Sequence, residues 1–247
     1  MKPALLLSLA LALPAVAGQH VVIIDPGHGG GGDSGSQAAR TLSASNNATT
    51  PGGLREKDLT LELSLEVKKQ VAELAAAHRG TRIACVLTRS DDSNPDFAKR
   101  AALCAAGKTP PAAIFSIHFN ASDNHAGLGT LTVVHGKSIN PNYQRDQAFA
   151  SGLTQAAHEA VVRFVPASKA RESITDAHLH NGAGSNFFYQ LGLRPALKAV
   201  PKCFLEVEFI DRRDVEQKLL QNRRETFPAI ARAIASYLYD YCGRLPE

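Results

Sequence analysis

The sequence has no tryptophan, and its remaining aromatic side chains total 5 Tyr and 10 Phe. That scarcity argues against a surface that holds sugar rings by aromatic stacking. Neither sign of charge is in strong excess, with 27 Lys and Arg against 23 Asp and Glu. Composition therefore gives no case for a nucleic-acid partner. The four cysteines include no C-x-x-C spacing, which sets aside a zinc knuckle or a redox pair. Beyond the first 17 residues no apolar run reaches the roughly 20 residues that a membrane-spanning helix needs. The rest is ordinary: 44% hydrophobic and 20% charged residues exclude disordered, collagen-like and coiled-coil chains. The 247 residues suit one large domain or two small ones at about 100–200 residues each. No linker, repeat or change of composition divides them, so a single domain is expected from residue 18 onward.

Residues 1–17, MKPALLLSLALALPAVA, have the pattern of an export signal. Lys2 leads, an apolar run follows from Ala4 to Leu13, Pro14 breaks it, and Ala15-Val16-Ala17 offers a small-x-small cleavage site. The lack of a cysteine at that point argues against lipid anchoring. The expected mature chain is 18–247, exported to a periplasmic or extracellular location without a membrane span. Export permits disulfides. Cys85 and Cys203 each open a strand-like run, and Cys104 and Cys242 each close the helix-like run after it. A helix running antiparallel to the preceding strand brings those ends together, so Cys85–Cys104 and Cys203–Cys242 are the expected pairs, with four buried free thiols as the alternative.

Along the chain, HVVIID (20–25), RIACVLT (82–88), AAIFSIHFN (112–120), GTLTVVH (129–135) and KCFLEVEFI (202–210) read as strands. Leu59, Leu63, Val67, Val71 and Leu74 are spaced near four, which predicts an amphipathic helix over 58–78. Further helices are expected over 96–106, 144–164 and 213–241. Residues 27–53 are rich in Gly, Ser, Asn and Thr and read as one long loop, of a length that is usually functional or mobile. Residues 174–192 read as polar and irregular. Strands and helices alternate, so the expected fold is α/β, a single domain with a central, largely parallel twisted sheet flanked by helices.

In open α/β sheets ligands gather at the carboxyl ends of strands. Four metal- or proton-binding residues fall at strand ends, at a helix start or within a strand: His28 in DPGHGGG, Glu56 in GGLREKDL, His118 in FSIHFNAS and Glu206 in FLEVEF. Two His and one Glu are a hydrolytic zinc set that leaves a position for water, and a further carboxylate can take and return protons. Each also has a plain structural role open to it: a turn histidine, a carboxylate complementing a helix dipole, a core histidine, or a strand glutamate facing solvent. Glu208 shares the face of Glu206 if the strand alternates regularly. Spacing alone does not join residues so far apart.

Taken in order, DPGHGG, REKDL, SIHFNAS and FLEVEFI resemble the zinc-dependent N-acetylmuramoyl-L-alanine amidases of the Amidase_3 family, bacterial cell-wall hydrolases, over nearly the whole chain from Val21 to about Ala235. The resemblance implies one catalytic Zn2+ held by His28, Glu56 and His118. It implies Glu206 as the catalytic carboxylate and peptidoglycan or muropeptides as the substrate. Arg89 and Arg100 also match family positions. The implied reaction is hydrolysis of the amide joining the lactyl group of N-acetylmuramic acid to L-alanine. Action on soluble muropeptides, or a non-catalytic peptidoglycan-binding role, are the alternatives, and some relatives depend on an activating partner. The chain departs from the family at Glu208, where Gly is usual, which makes Glu208 the fallback for Glu206. It departs also in the longer loop 31–53 and in 174–192. His178 and His180 form a second candidate pair toward substrate; His125 and His135 have no motif. Asp25 is expected to orient the His28 loop, with Ser116 and Asn120 as nearby hydrogen-bonding groups.

Overall fold

The computed structural model describes residues 19–78 and 80–246, and the side chains of 178, 180 and 181 lie outside that description, as does the proposed export signal. The elements run β1 (His20–Pro26), α1 (Glu56–Ala77), β2 (Ile83–Leu87), α2 (Phe97–Cys104), β3 (Ala113–Asn120), β4 (Leu131–Val134), α3 (Tyr143–Val161), β5 (Ile174–Thr175), α4 (Asn186–Gly192), β6 (Lys202–Phe209), α5 (Arg213–Val215) and α6 (Arg223–Gly243). One six-stranded sheet has the order β2-β1-β3-β6-β4-β5. The four strands β2, β1, β3 and β6 are parallel, while β4 pairs antiparallel with β6 and carries the short β5 parallel to itself. The expected α/β domain with a largely parallel sheet is thus present.

Period-two alternation divides the sheet between two cores. On one face Val22, Ile24, Phe115, Ile117, Phe119, Cys203, Leu205 and Val207 pack under α1, α3 and α6. Leu59, Leu63, Val67 and Val71 supply the buried stripe of α1, and Ile230, Ile234 and Leu238 that of α6. On the other face Ile23, Ile114, Leu131, Val133 and Phe204 pack under α2 and α4. The same alternation sends Asp25, Ser116, His118 and Glu206 to this second face, where the helical cover is smaller and leaves a site open.

Three features of the wider fold differ from the sequence expectation. The irregular stretch 174–192 contains β5 and α4; α4 is only seven residues long and is started by Ser185, whose Oγ accepts from the amides of Phe187 (3.1 Å) and Phe188 (3.3 Å). A helix of under two turns has too few residues to show a period. The long helix expected over 213–241 is interrupted: α5 passes into a π turn at Glu216–Leu220, and α6 begins at Arg223. Glu216 explains the interruption, since its carboxylate is turned back to accept from Thr50 Oγ1 (2.6 Å) and the Gly52 amide (3.0 Å).

The third correction is the cysteines. All four are free and buried. Cys85 faces the α1/α6 side and Cys104 the α2/α4 side, so the sheet itself separates them. Cys203 and Cys242 share a face, but the end of α6 docks beside β2, with the Thr81 amide donating to Tyr239 Oη at 3.0 Å, whereas β6 lies three strands along the sheet. Burial pushes the Cys85 and Cys242 thiols up to about 12.

Candidate metal centre

β1 ends on Asp25-Pro26, and the turn after it is held from beneath by two buried arginines. Arg100 Nη1 donates to Asp25 Oδ1 (2.8 Å) and the Pro26 carbonyl (2.9 Å), and its Nη2 donates to the His28 carbonyl (2.8 Å). Arg89 donates to the carbonyls of Pro26 (3.0 Å) and Gly27 (2.9 Å). Ser116 Oγ donates to Asp25 Oδ2 at 2.6 Å, and Thr88 donates to the other oxygen. Burial opposes ionisation of Asp25, but Arg100 and the two hydroxyls outweigh it and hold its carboxyl below the usual range. The backbone then passes so close to His118 that a Cβ on Gly27 would lie 2.4 Å from the imidazole. Only glycine fits there. His28 follows at φ +63°.

This arrangement carries a stability prediction. Arg100 and Asp25 are 0% and 1% exposed, and removing one partner of a buried pair leaves an uncompensated charge. Arg100→Met is expected to lower the unfolding free energy by about 3–5 kcal/mol in denaturant titrations at pH 7. A depressed carboxyl pKa stabilises fully above the unfolded value, about 3.9, and the benefit is lost as pH falls through the folded value. The gap between the wild type and Arg100→Met should therefore narrow as the pH is lowered below about 4.

Glu56 opens α1 and joins the two histidines. His28 Nε2 lies 3.2 Å from Glu56 Oε2, and His118 Nδ1 lies 3.0 Å from Glu56 Oε1. One ligand-type atom from each of the three side chains falls within 4.8 Å of the others. The imidazoles meet edge to face, with centroids 4.9 Å apart. Burial would raise the pKa of Glu56, but the two imidazoles hold it well below the usual range. The amides of Ala48 (2.9 Å) and Phe119 (3.1 Å) also donate to this carboxylate. His28 Nδ1 meets the Ala44 carbonyl at 3.0 Å; a donor there leaves Nε2 as the free lone pair, the usual way a supporting contact sets the tautomer of a metal-binding histidine.

Glu206 stands directly beside His118 in the β3–β6 register. Its Oε2 is buried and has no hydrogen-bond partner among the described residues. Burial, then the charge of Glu56, raises its pKa well above the ordinary value. Phe204 lies under His118 at 5.5 Å between centroids and stacks on Phe188 of α4 at 4.3 Å.

Glu208 does not share the face of Glu206. The register moves from His118↔Glu206 to Asn120↔Phe209, so β6 carries one extra residue opposite β3, a bulge that turns Glu208 aside. Its carboxylate accepts from the amides of Gly129 (2.6 Å) and Phe209 (2.8 Å) and from Ser168 Oγ. Burial raises its pKa despite these donors. A raised carboxyl pKa makes stability fall as pH rises from the unfolded value, about 4.3, through the folded one. Glu208→Gln should remove that fall, so that its melting temperature at pH 8 equals or exceeds the wild type's, with hydrolysis unchanged.

The other candidates whose side chains are described fall outside the cluster. His125 pairs with Asp211 at 3.0 Å and His135 with Asp176 at 3.0 Å. Asn120 Oδ1 accepts from the next amide, Ala121, at 2.8 Å. The side chains of His178 and His180 lie outside the described residues. Sequence reasoning missed Lys57, whose buried ammonium binds the Gly30 carbonyl (2.7 Å) and Asp92 (2.7 Å), and the loop backbone at Ala44 and Ala48. A lysine amid helix charges and a backbone carbonyl leave no mark in a residue pattern.

Two imidazoles and a carboxylate converging at the carboxyl end of a parallel sheet are the donor set of metal-assisted hydrolysis. A hydrolase of that class is what the fold and site together describe. The chain belongs to the Amidase_3 family, N-acetylmuramoyl-L-alanine amidase, whose family model matches residues 22–236. Among solved structures it is similar to Cwp6 from Clostridium difficile, with 25% identity and a TM-score of 0.63 over 91% of this chain and 30% of that one. The chain thus spans under a third of the length of Cwp6. It is also similar to AmiC2 of Nostoc punctiforme (23% identity, TM-score 0.59, 91% and 98% covered). A third similar structure is the catalytic domain of CwlV from Bacillus (Paenibacillus) polymyxa (21%, 0.61, 90% and 98%). No curated protein sequence matches the chain. The family makes it a hydrolase of peptidoglycan.

Proposed function

We propose that the chain is an exported amidase whose His28, Glu56 and His118 hold one zinc ion and whose Glu206 moves the proton during cleavage of the bond between the muramic lactyl group and L-alanine. One observation carries this reading: three ligand-type atoms lie within 4.8 Å of one another, beside a buried carboxylate oxygen that has no partner among the described residues. The donor set suits zinc, which takes imidazole nitrogen and carboxylate oxygen and leaves a place for water.

Zinc, when bound, supplies Lewis acidity to the attacking water and to the scissile carbonyl. Glu206 accepts a proton from that water on Oε2 as its oxygen bonds to the carbonyl carbon. The same carboxyl group then gives the proton to the alanine nitrogen as the C–N bond breaks. The products are a lactyl carboxylic acid and a free amine, so the glutamate ends as it began. His28 and His118 are held by Ala44 and Glu56, and the turn under them by Arg100 and Arg89. The first residues supply the argument for export, and the substrate's place outside the cytoplasm accords with it.

The experiment is mass spectrometry of purified peptidoglycan incubated with the protein, with and without chelator. Stem peptides with a new amino-terminal alanine are expected, lost with chelator and restored by zinc. Products that persist in chelator would overturn the zinc assignment, and cleavage at another bond would overturn the assigned position.

A further inference from the structure

Residues 31–53 and 174–192, the two stretches in which the sequence is expected to depart from the family pattern, touch each other, with Arg40 at the centre of the contact. It is one of three non-glycine residues with positive φ among the described residues, at +51°. Such a conformation is strained and persists where the surroundings hold it. Here they do. Arg40 Nη2 donates to the carbonyls of Ala183 (2.8 Å), Gly184 (3.3 Å) and Ser185 (3.4 Å), and Nε donates to Asn186 Oδ1 (3.3 Å). The guanidinium lies 4.1 Å from the centroid of the Tyr189 ring. In return, Asn186 Nδ2 donates to Gln37 Oε1 (2.8 Å) and Gln190 Nε2 to the Arg40 carbonyl (3.1 Å). The loop is latched to the start of α4.

The same loop reaches two of the three ligands a few residues on. The Ala44 carbonyl meets His28 Nδ1 at 3.0 Å, and the Ala48 amide donates to Glu56 Oε2 at 2.9 Å. A paired bridge between Ser34 and Ser43, at 3.0 and 2.8 Å, closes the segment that carries Arg40. From the other side α4 approaches His118 through the stacked rings of Phe188 and Phe204. The latch thus joins the two supports of the cluster.

We propose that Arg40 is a positioning residue for the metal centre, acting through the loop backbone at Ala44 and Ala48; this rests on the zinc reading above. Supporting contacts of this kind typically change metal affinity 10–100-fold, and Arg40 acts at one remove from them.

The test is zinc affinity of the full metal-free chain, by competition with a chromophoric chelator. Arg40→Ala is expected to bind zinc about tenfold more weakly, and Arg40→Lys, which keeps a donor for the carbonyls but loses the Nε bond to Asn186, to fall between it and the wild type. Tyr237→Phe serves as a stability control, since it removes only a bond to the Phe149 carbonyl on the other side of the sheet. It should lower the melting temperature without changing zinc affinity. If Arg40→Ala melts earlier yet binds zinc as tightly as the wild type, Arg40 is merely structural and the proposal fails. Should Arg40→Ala not fold, Asn186→Ala cuts the latch at its Nε and Gln37 bonds together, and unchanged zinc affinity there overturns the proposal equally. A wild type that takes up no zinc overturns both this inference and the reading it rests on.

Discussion

Glu206→Gln is expected to retain one zinc per chain and to lose turnover by about 10²–10⁴-fold, the usual contribution of a positioned acid–base group. The substitution is nearly isosteric. Because Oε2 accepts no hydrogen bond from the described residues, replacing it by an amide breaks no contact described in the structure, and the fold should be unaffected. On the proposed mechanism, what is lost is the lone pair that takes the proton from water and the acid that returns it to the amine. Metal content by atomic spectroscopy and product formation by mass spectrometry, on the same preparation, separate the two properties. Full turnover in this variant would remove Glu206 from the mechanism, and since the β6 bulge directs Glu208 to Gly129 and Ser168, no second carboxylate on that strand is placed to succeed it.

His118→Ala is expected to have the complementary result: turnover at background because zinc is no longer retained through gel filtration. The loss of affinity should exceed the roughly 10–100-fold of a lost supporting contact, since a ligand itself is gone. Glu56 keeps the Ala48 and Phe119 amides as donors and His28 as an ion-pair partner. The variant should therefore fold, with an unchanged far-ultraviolet circular dichroism spectrum. A folded His118→Ala chain that keeps its zinc and its turnover would show that the ligand set has been drawn wrongly.

Much of this was legible in the residue pattern because burial follows period. The continuous apolar runs of β1, β3 and β6 and the four-residue spacing in α1 are direct imprints of a covered sheet and a one-faced helix. The candidate ligands were legible only as residue types at element ends; what joined them was resemblance, and the fold then brought them within reach. The rest was hidden for local reasons. One extra residue in β6 reverses which side chains share a face, and alternation cannot be read through a bulge. Seven residues of α4 show no period. A supporting contact made by the carbonyl of Ala44 depends on backbone position, to which any amino acid would contribute equally. The disulfide expectation failed because proximity along a strand–helix unit says nothing about which side of the sheet each thiol takes, as with Cys85 and Cys104, or how far along the sheet the helix end docks, as with Cys203 and Cys242.

That last point bears on how the protein meets its surroundings. Four thiols lie inside the two cores, and burial holds each of them in the protonated form. Attack on a disulfide requires a thiolate with access to its partner, so the native chain offers neither reagent nor target to glutathione-like couples.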